Sequence, residues 1–478
     1  MKKFLVIAFA STLLIGFIDG SVAATTAKQG ATCAKLNTSA TVSGQKLTCT
    51  KVAGKLVWNK ARVSAVTPNP APTVAPAASI AGQNCATLME SKVVGALRFT
   101  CQGPGRQSNF QWDAGTSTSF KATIPITLPV VAQTGADAIT FDNVVAKFAS
   151  VPTVSYNRIQ ETIAKNSAVE VPHTIDVGPN TTTFTKTIEE GMLAKEFRLW
   201  AGFKQVSFLN VIAYNNADIK WAQEKLAAVY AARKYKADQD PDHGLHLTSQ
   251  TCSASSQPGQ TTGEVGDCYA GAAGSIGNSD DGLEMLGITS KYPSYPWNPY
   301  QTGEVTHEYM HTVQGAQFIG TGSAMRSYYV HMQTPCWIHE GQPNAIGLAI
   351  SAKDLAMYLE RSRDVTGNGA LDSQFPGFTA EGLKQYLYSQ VTNESDAKSC
   401  YNNGPLYKMS YSLGMAATEM LVAIGGPQST LALIALQAEG QSFAEAFNAV
   451  YGITWEKGST ILGQALAAKY AATPYQKQ

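Results

Sequence analysis

Apolar positions along this chain follow two different periods. They recur every three or four residues over residues 155–166, 185–200 and 218–235, a spacing that predicts helices with one buried face. Residues 206–214 form a short and nearly continuous apolar run, which predicts a buried strand. Over residues 124–131 apolar positions alternate with Pro125 and Pro129, and the expectation is an edge strand in a larger domain that starts near Ser119. Residues 249–281 are rich in Ser, Gly, Thr and Gln and read as irregular loop with short strands. Pro293, Pro296 and Pro299 block helix until Thr302, after which a helix is expected over residues 303–318. From Lys353 onward helical periodicity dominates, most clearly over residues 406–424 and 429–439. The pattern predicts an α+β protein, a small sheet followed by a mainly helical C-terminal part.

Lys2 and Lys3 precede an apolar run from Phe4 to Ile18 and the small residues Ser21-Val22-Ala23-Ala24. This order predicts a secretory signal peptide, residues 1–23, cut after Ala23. An uncleaved anchor is the alternative. The run is short for a membrane span, no Cys stands near the cleavage point for lipid attachment, and no later stretch approaches about eighteen apolar residues. The expected product is soluble, without a membrane span, and secreted or held at the cell envelope. Lys plus Arg total 36 against 35 for Asp plus Glu, with no long run of either sign. Charge therefore gives no reason to expect nucleic acid or an anionic membrane as partner.

Eight Cys in an exported chain favour disulfides over thiolate metal sites. Cys33 with Cys49, Cys85 with Cys101 and Cys252 with Cys268 share one separation of 16 residues, and Cys336 with Cys400 remains by elimination. The first two pairs stand in a repeat. Gly30-Ala31-Thr32-Cys33, Cys49 and Trp58 are echoed by Gly82-Gln83-Asn84-Cys85, Cys101 and Trp112. Two small modules are expected, residues 28–60 and 82–115, each too short to bury a core without a disulfide and a Trp anchor. The Pro- and Ala-rich residues 61–81 between them read as an extended linker, which leaves residues 119–478 for the larger domain. The modules resemble short Cys/Trp modules of exported bacterial proteins. They serve either to attach the chain to an envelope glycan or to substrate, or as spacer and folding aid; exposed aromatics would favour binding.

The strongest chemical signal is His307-Glu308-Tyr309-Met310-His311 within the helix expected over residues 303–318. Residues four apart share a helix face, so both imidazoles reach one metal while Glu308 points at the remaining coordination position. A catalytic zinc has three protein ligands and one open position, so a third ligand is needed. Trp337-Ile338-His339-Glu340-Gly341 offers Glu340, 29 residues after His311. His339 and His331 are rival ligands. Asn344, four residues beyond Glu340, is in place to accept a hydrogen bond from a ligand His.

HExxH, a downstream WxxEG and a later Tyr together resemble the gluzincin zinc metallopeptidases, closest to the aminopeptidase N-like branch and its secreted relatives. The resemblance covers roughly residues 185–457. It implies one zinc per chain held by His307, His311 and Glu340, with Glu308 as general base. Tyr411-Ser412-Leu413-Gly414 resembles the family's Tyr-x-x-Gly, which implies that Tyr411 donates a hydrogen bond to the tetrahedral intermediate; Tyr401 and Tyr407 are alternatives. The chain departs from the branch in several places. The gap before Glu340 is longer, Leu413 stands where Lys is usual, and Asn344 stands where a carboxylate is common. Gly274-Ser275-Ile276-Gly277-Asn278 is loosely similar to the branch's Gly-x-Met-Glu-Asn, with Gly277 in place of the Glu that holds a substrate's free amine.

The implied function is an exported zinc peptidase acting on peptide or protein, more an endopeptidase than an aminopeptidase, with extended substrate along an edge strand. The competing reading is a non-catalytic envelope- or glycan-binding protein with a vestigial or structural zinc site. A structural site has no use for Glu308 beside an open position. A zinc hydrolase acting on something other than a peptide is a third reading.

Overall fold

The computed structural model describes residues 28–60, 79–102, 110–232, 271–275, 280–288, 299–322, 334–368, 378–392 and 405–472 with Cys268, apart from positions 29, 37, 43–44, 53 and 88–89. The expected signal peptide and nearly all of the expected linker lie outside the described residues. The described chain is mixed α+β. It divides into one unit up to Pro76 and a second from Ala77 onward.

The first unit holds a three-stranded antiparallel sheet of β1 (Ser39–Val42), β2 (Gln45–Val52) and β3 (Lys55–Lys60). The second opens with β4 (Ser91–Val94), β5 (Leu97–Gln102), β6 (Gln111–Trp112) and β7 (Thr116–Ser117), the last paired with β5. Disulfides join Cys33 to Cys49 and Cys85 to Cys101. The sequence repeat has a matching register, because Cys49 lies opposite Trp58 and Cys101 opposite Trp112. Gly30 N–H bonds the Trp58 carbonyl at 2.7 Å and Gly82 N–H that of Trp112 at 2.8 Å, closing both modules in the same way. Trp112 is buried with Phe99 and Cys101, so in the second module the Trp is core and not an exposed platform. Cys268 and Cys336 are also disulfide-bonded, while Cys252 and Cys400 lie outside the described residues.

The larger part of the second unit is built on a four-stranded sheet of β8 (His173–Val177), β9 (Leu209–Tyr214), β10 (Gly271–Ser275) and β11 (Gly282–Gly287), in the order β10-β11-β9-β8. The two pairings from β8 to β9 to β11 are parallel, and β10 runs antiparallel at the outer position. Every residue of β9 and β11 is buried, as a sheet covered on both faces requires. Ile212, Tyr214, Leu283 and Met285 face α3 (Ile219–Ala232). The alternate residues Val211, Ala213 and Leu286 join the main helical core, and Glu284 shares their side of the pleat.

That core is closed by α1 (Val151–Lys165), α2 (Lys186–Leu199), α4 (Pro299–Ala316), α5 (Cys336–Ser351), α6 (Leu355–Asn368), α7 (Ala380–Thr392), α8 (Pro405–Gly425), α9 (Pro427–Ala438), α10 (Phe443–Tyr451) and α11 (Trp455–Ala472). Two expectations change. Pro299 does not block α4 but begins it, since the first helical position needs no N–H donor. Residues 124–131 form no strand; they run over the core with Ile124, Ile126, Leu128 and Val130 packed inward, and Val130 N–H bonds the Val450 carbonyl at 2.8 Å. Two prolines in that segment remove the donors that a ladder would use. Among the described residues no single helix is long and apolar enough to cross a membrane.

Candidate metal centre

Three helices cross closely enough to bring separate motifs together, and glycine permits it. A Cβ on Gly341 of α5 would come within 2.1 Å of the Gly414 carbonyl carbon on α8, and one on Gly414 would meet the Trp337 carbonyl oxygen at the same distance, 2.1 Å. Gly347, six residues further along α5, lies against the backbone of Thr306 and His307 on α4, where a Cβ would be 2.9 Å from the His307 nitrogen. The glycines of WxxEG and YxxG are thus the contact point between their helices.

At this crossing His307, His311 and Glu340 form a cluster able to hold a metal ion. The two Nε2 atoms stand 3.1 Å apart, and each is 3.4 Å from Glu340 Oε2. Ligands bound tetrahedrally at the usual zinc distances form a triangle with edges of about 3.3 Å. The observed triangle has that size without rearrangement.

Hydrogen bonds fix which ring nitrogens face the centre. The Asn344 Nδ2 donates to the Tyr411 carbonyl at 2.8 Å, so its Oδ1, 2.8 Å from His307 Nδ1, must be an acceptor and His307 carries its proton on Nδ1. The Gln314 amide works alike. Its Nε2 donates to the His339 carbonyl at 3.0 Å and to Gln342 Oε1 at 2.9 Å, leaving Oε1 to accept from His311 Nδ1 at 3.0 Å. Both Nε2 lone pairs then converge on one point, which is unfavourable unless a cation lies there. Glu340 Oε2 is buried and, among the described residues, has only the two imidazole Nε2 atoms at 3.4 Å near it, an acceptor that a metal would satisfy. Electrostatics agree. Burial works to lower His311, yet Glu340, Glu308 and Gln314 hold it at about 9. Burial works to raise Glu340, yet His311 and the other imidazoles hold it well below the ordinary carboxylate range. The site favours positive charge where the three atoms meet, and a metal would take the place of the proton on His311.

Glu308 stands beside this triangle, nearly buried, with its side chain against the backbone of β10. A Cβ on Gly271 would lie 2.4 Å from Glu308 Cγ, so only glycine fits there. Burial pushes its carboxyl up, the His307 and His311 charges pull it back, and Glu340 adds to the rise. The Tyr411 ring stacks on the His307 ring with centroids 5.9 Å apart. Tyr401 and the side chain of Tyr407 lie outside the described residues, as do His331 and Gly277. His339 stacks on His311 at 4.5 Å and approaches Glu340 Oε1 at 3.4 Å, but it is not one of the three clustered ligands. Burial, with His311 beside it, lowers its pKa to about 4.

Two features escaped the sequence. Gln314, three residues beyond His311, shares the helix face of the ligand, and that spacing was the available signal. Behind Glu308 lies a group of buried acids, Glu189 and Glu196 on α2 and Glu284 on β11. Burial pushes Glu189 and Glu196 up to about 8, and burial with the charges of Glu189, Glu308 and Glu196 pushes Glu284 well up. Among the described residues neither Glu284 oxygen has a hydrogen-bond partner. Helical periodicity hides such residues, because acids on a helix read as its solvent face.

Comparison of the chain with protein-family models, with curated proteins and with solved structures found no match.

Proposed function

We propose that the protein is an exported zinc-dependent peptidase of gluzincin type, cleaving within peptides and not from a free amino terminus. The observation that carries the reading is the triangle of His307 Nε2, His311 Nε2 and Glu340 Oε2, with edges of 3.1 to 3.4 Å, beside a buried Glu308. Such a donor set of two imidazoles and one carboxylate suits zinc and leaves a coordination position open. When bound, zinc supplies Lewis-acid chemistry and lowers the pKa of water toward about 7.

The chain's own residues supply the rest. Glu308 takes the proton of the attacking water and later delivers it to the leaving amine; burial raises its pKa, which suits a group that must both accept and donate. Tyr411, stacked on His307, would donate a hydrogen bond to the developing oxyanion. Asn344 and Gln314 orient the imidazoles. The outer strand β10 borders Glu308 and would pair with an extended peptide along its edge. Its residues, Gly271, Ala272, Ala273, Gly274 and Ser275, include no acid to hold a free amine, which supports cleavage within a chain.

The test is cleavage of peptides blocked at both ends beside free aminoacyl reporters, with the zinc-loaded mature chain. Cleavage of the blocked peptides is expected. Ready turnover of the reporters with the blocked peptides intact would overturn the endopeptidase reading.

A further inference from the structure

The ligand triangle depends on how two helices sit, since α4 carries His307 and His311 while α5 carries Glu340. The places where α4 ends and α5 begins are both held from outside the helical core. After α4 the chain turns, and Gly322 N–H donates to Thr116 Oγ1 at 2.9 Å while its carbonyl accepts from Ala114 N–H at 3.1 Å. Contact here is so close that a Cβ on Gly322 would lie 2.4 Å from the Gly115 nitrogen. Ahead of α5, Thr334 Oγ1 donates to Gln437 Oε1 near the end of α9 at 3.1 Å. That same helix end is held by Arg98, whose Nη2 donates to the Ala438 carbonyl at 3.4 Å and whose guanidinium fills the space beside Gly440. Glu439 completes the contact by accepting from Ala122 N–H at 2.8 Å.

Arg98, Ala114 and Thr116 all belong to the second small module or its margin. Thr116, Thr334 and Gln437 are buried, and contacts of this kind differ from those of a tethered binding module, which needs its surface free. We infer that the second Cys/Trp module is a positioning element of the metal centre, one that fixes the exit of α4 directly and the entry of α5 through α9. The inference rests on the reading of His307, His311 and Glu340 as a metal site. The module's disulfide and its buried Phe99 and Trp112 then serve to make a stiff anchor.

The experiment uses the full mature chain with Thr116→Val, Arg98→Ala and the double variant. Val93→Ala, on an exposed position of the same module, is the control. Two quantities are read: amide hydrogen exchange at the last turn of α4 and the first turn of α5, and zinc affinity by competition with a chromophoric chelator. In the double variant exchange should quicken at both helix ends and zinc should bind about ten-fold more weakly, the size of effect seen when groups that orient metal ligands are lost. Thr116→Val removes one hydroxyl at nearly constant volume, so it decides the matter if Arg98→Ala unfolds the module. Loss of protection at Gly322 with α5 exchange and zinc affinity unchanged would overturn the inference. If the unaltered chain takes up no zinc, the metal reading fails, and unchanged or quickened exchange at the helix ends still decides whether the module positions them.

Discussion

Asn344 makes two hydrogen bonds with the two ends of one amide, and replacing it separates metal binding from the placement of Tyr411. Oδ1 accepts from His307 Nδ1 at 2.8 Å and Nδ2 donates to the Tyr411 carbonyl, also at 2.8 Å. Asn344→Leu strands both partners in a partly buried site, at about 1–3 kcal/mol each. The share that falls on His307 corresponds to a loss of about 10–100-fold in metal affinity, since each 1.4 kcal/mol is about ten-fold. Asn344→Asp behaves differently. A carboxylate still accepts from His307, but its second oxygen faces the Tyr411 carbonyl where a donor stood, and the two acceptors repel. Metal affinity should therefore stay close to that of the unaltered chain while turnover falls through displacement of Tyr411. Chelator competition gives the affinity and hydrolysis of a blocked peptide the turnover. The reasoning is refuted if the Asp variant loses as much metal affinity as the Leu variant, or if both bind metal as the unaltered chain does.

Other outcomes follow from the same geometry. Glu196 is raised from 4.5 to about 8 by burial, so below about pH 4.5 it is neutral in folded and unfolded chains alike; as pH rises to about 8 only the unfolded chain ionises, and stability is lost. Glu196→Gln removes that slope, worth at most about 5 kcal/mol at 1.36 per unit, and urea unfolding at pH 5 and pH 8 should give a stability gain that grows with pH; equal gains would contradict it. Gly271→Ala sets a Cβ 2.4 Å from Glu308 Cγ, so cleavage should fall sharply while metal content is kept, and loss of both together would count against the local account. Gly341→Ala forces α5 from α8 at a contact of 2.1 Å; overpacking of this kind costs about 1–3 kcal/mol or more, read as a lower unfolding midpoint, and zinc affinity should weaken with it.

The candidate ligands were legible because their chemistry is local in sequence. His307, Glu308 and His311 share a helix face, and Glu340 follows a Trp and precedes a Gly in a second helix; His307, His311 and Glu340 come together as the spacing implied. The strands were legible where burial on both faces leaves an apolar run, as in β9. What escaped the sequence depends on contacts across the fold. The Asn in place of a carboxylate at 344 looks like a weaker partner for His307 until Tyr411 is seen at its other end. The acids Glu189, Glu196 and Glu284 come from two elements far apart in the chain and become a group only when α2 packs on the sheet. Pro299 read as a barrier because a sequence does not say which helical position a proline will take. The docking of the second module rests on Gly322 and Arg98, neither of which belongs to a motif.

The most direct measurement is metal content by elemental analysis together with cleavage of a blocked peptide library, for the mature chain and for Glu308→Gln. Near one zinc per chain in both proteins, with cleavage only in the first, is the expected result. Zinc in both with cleavage in neither, or a chain that takes up no zinc at all, would contradict the account.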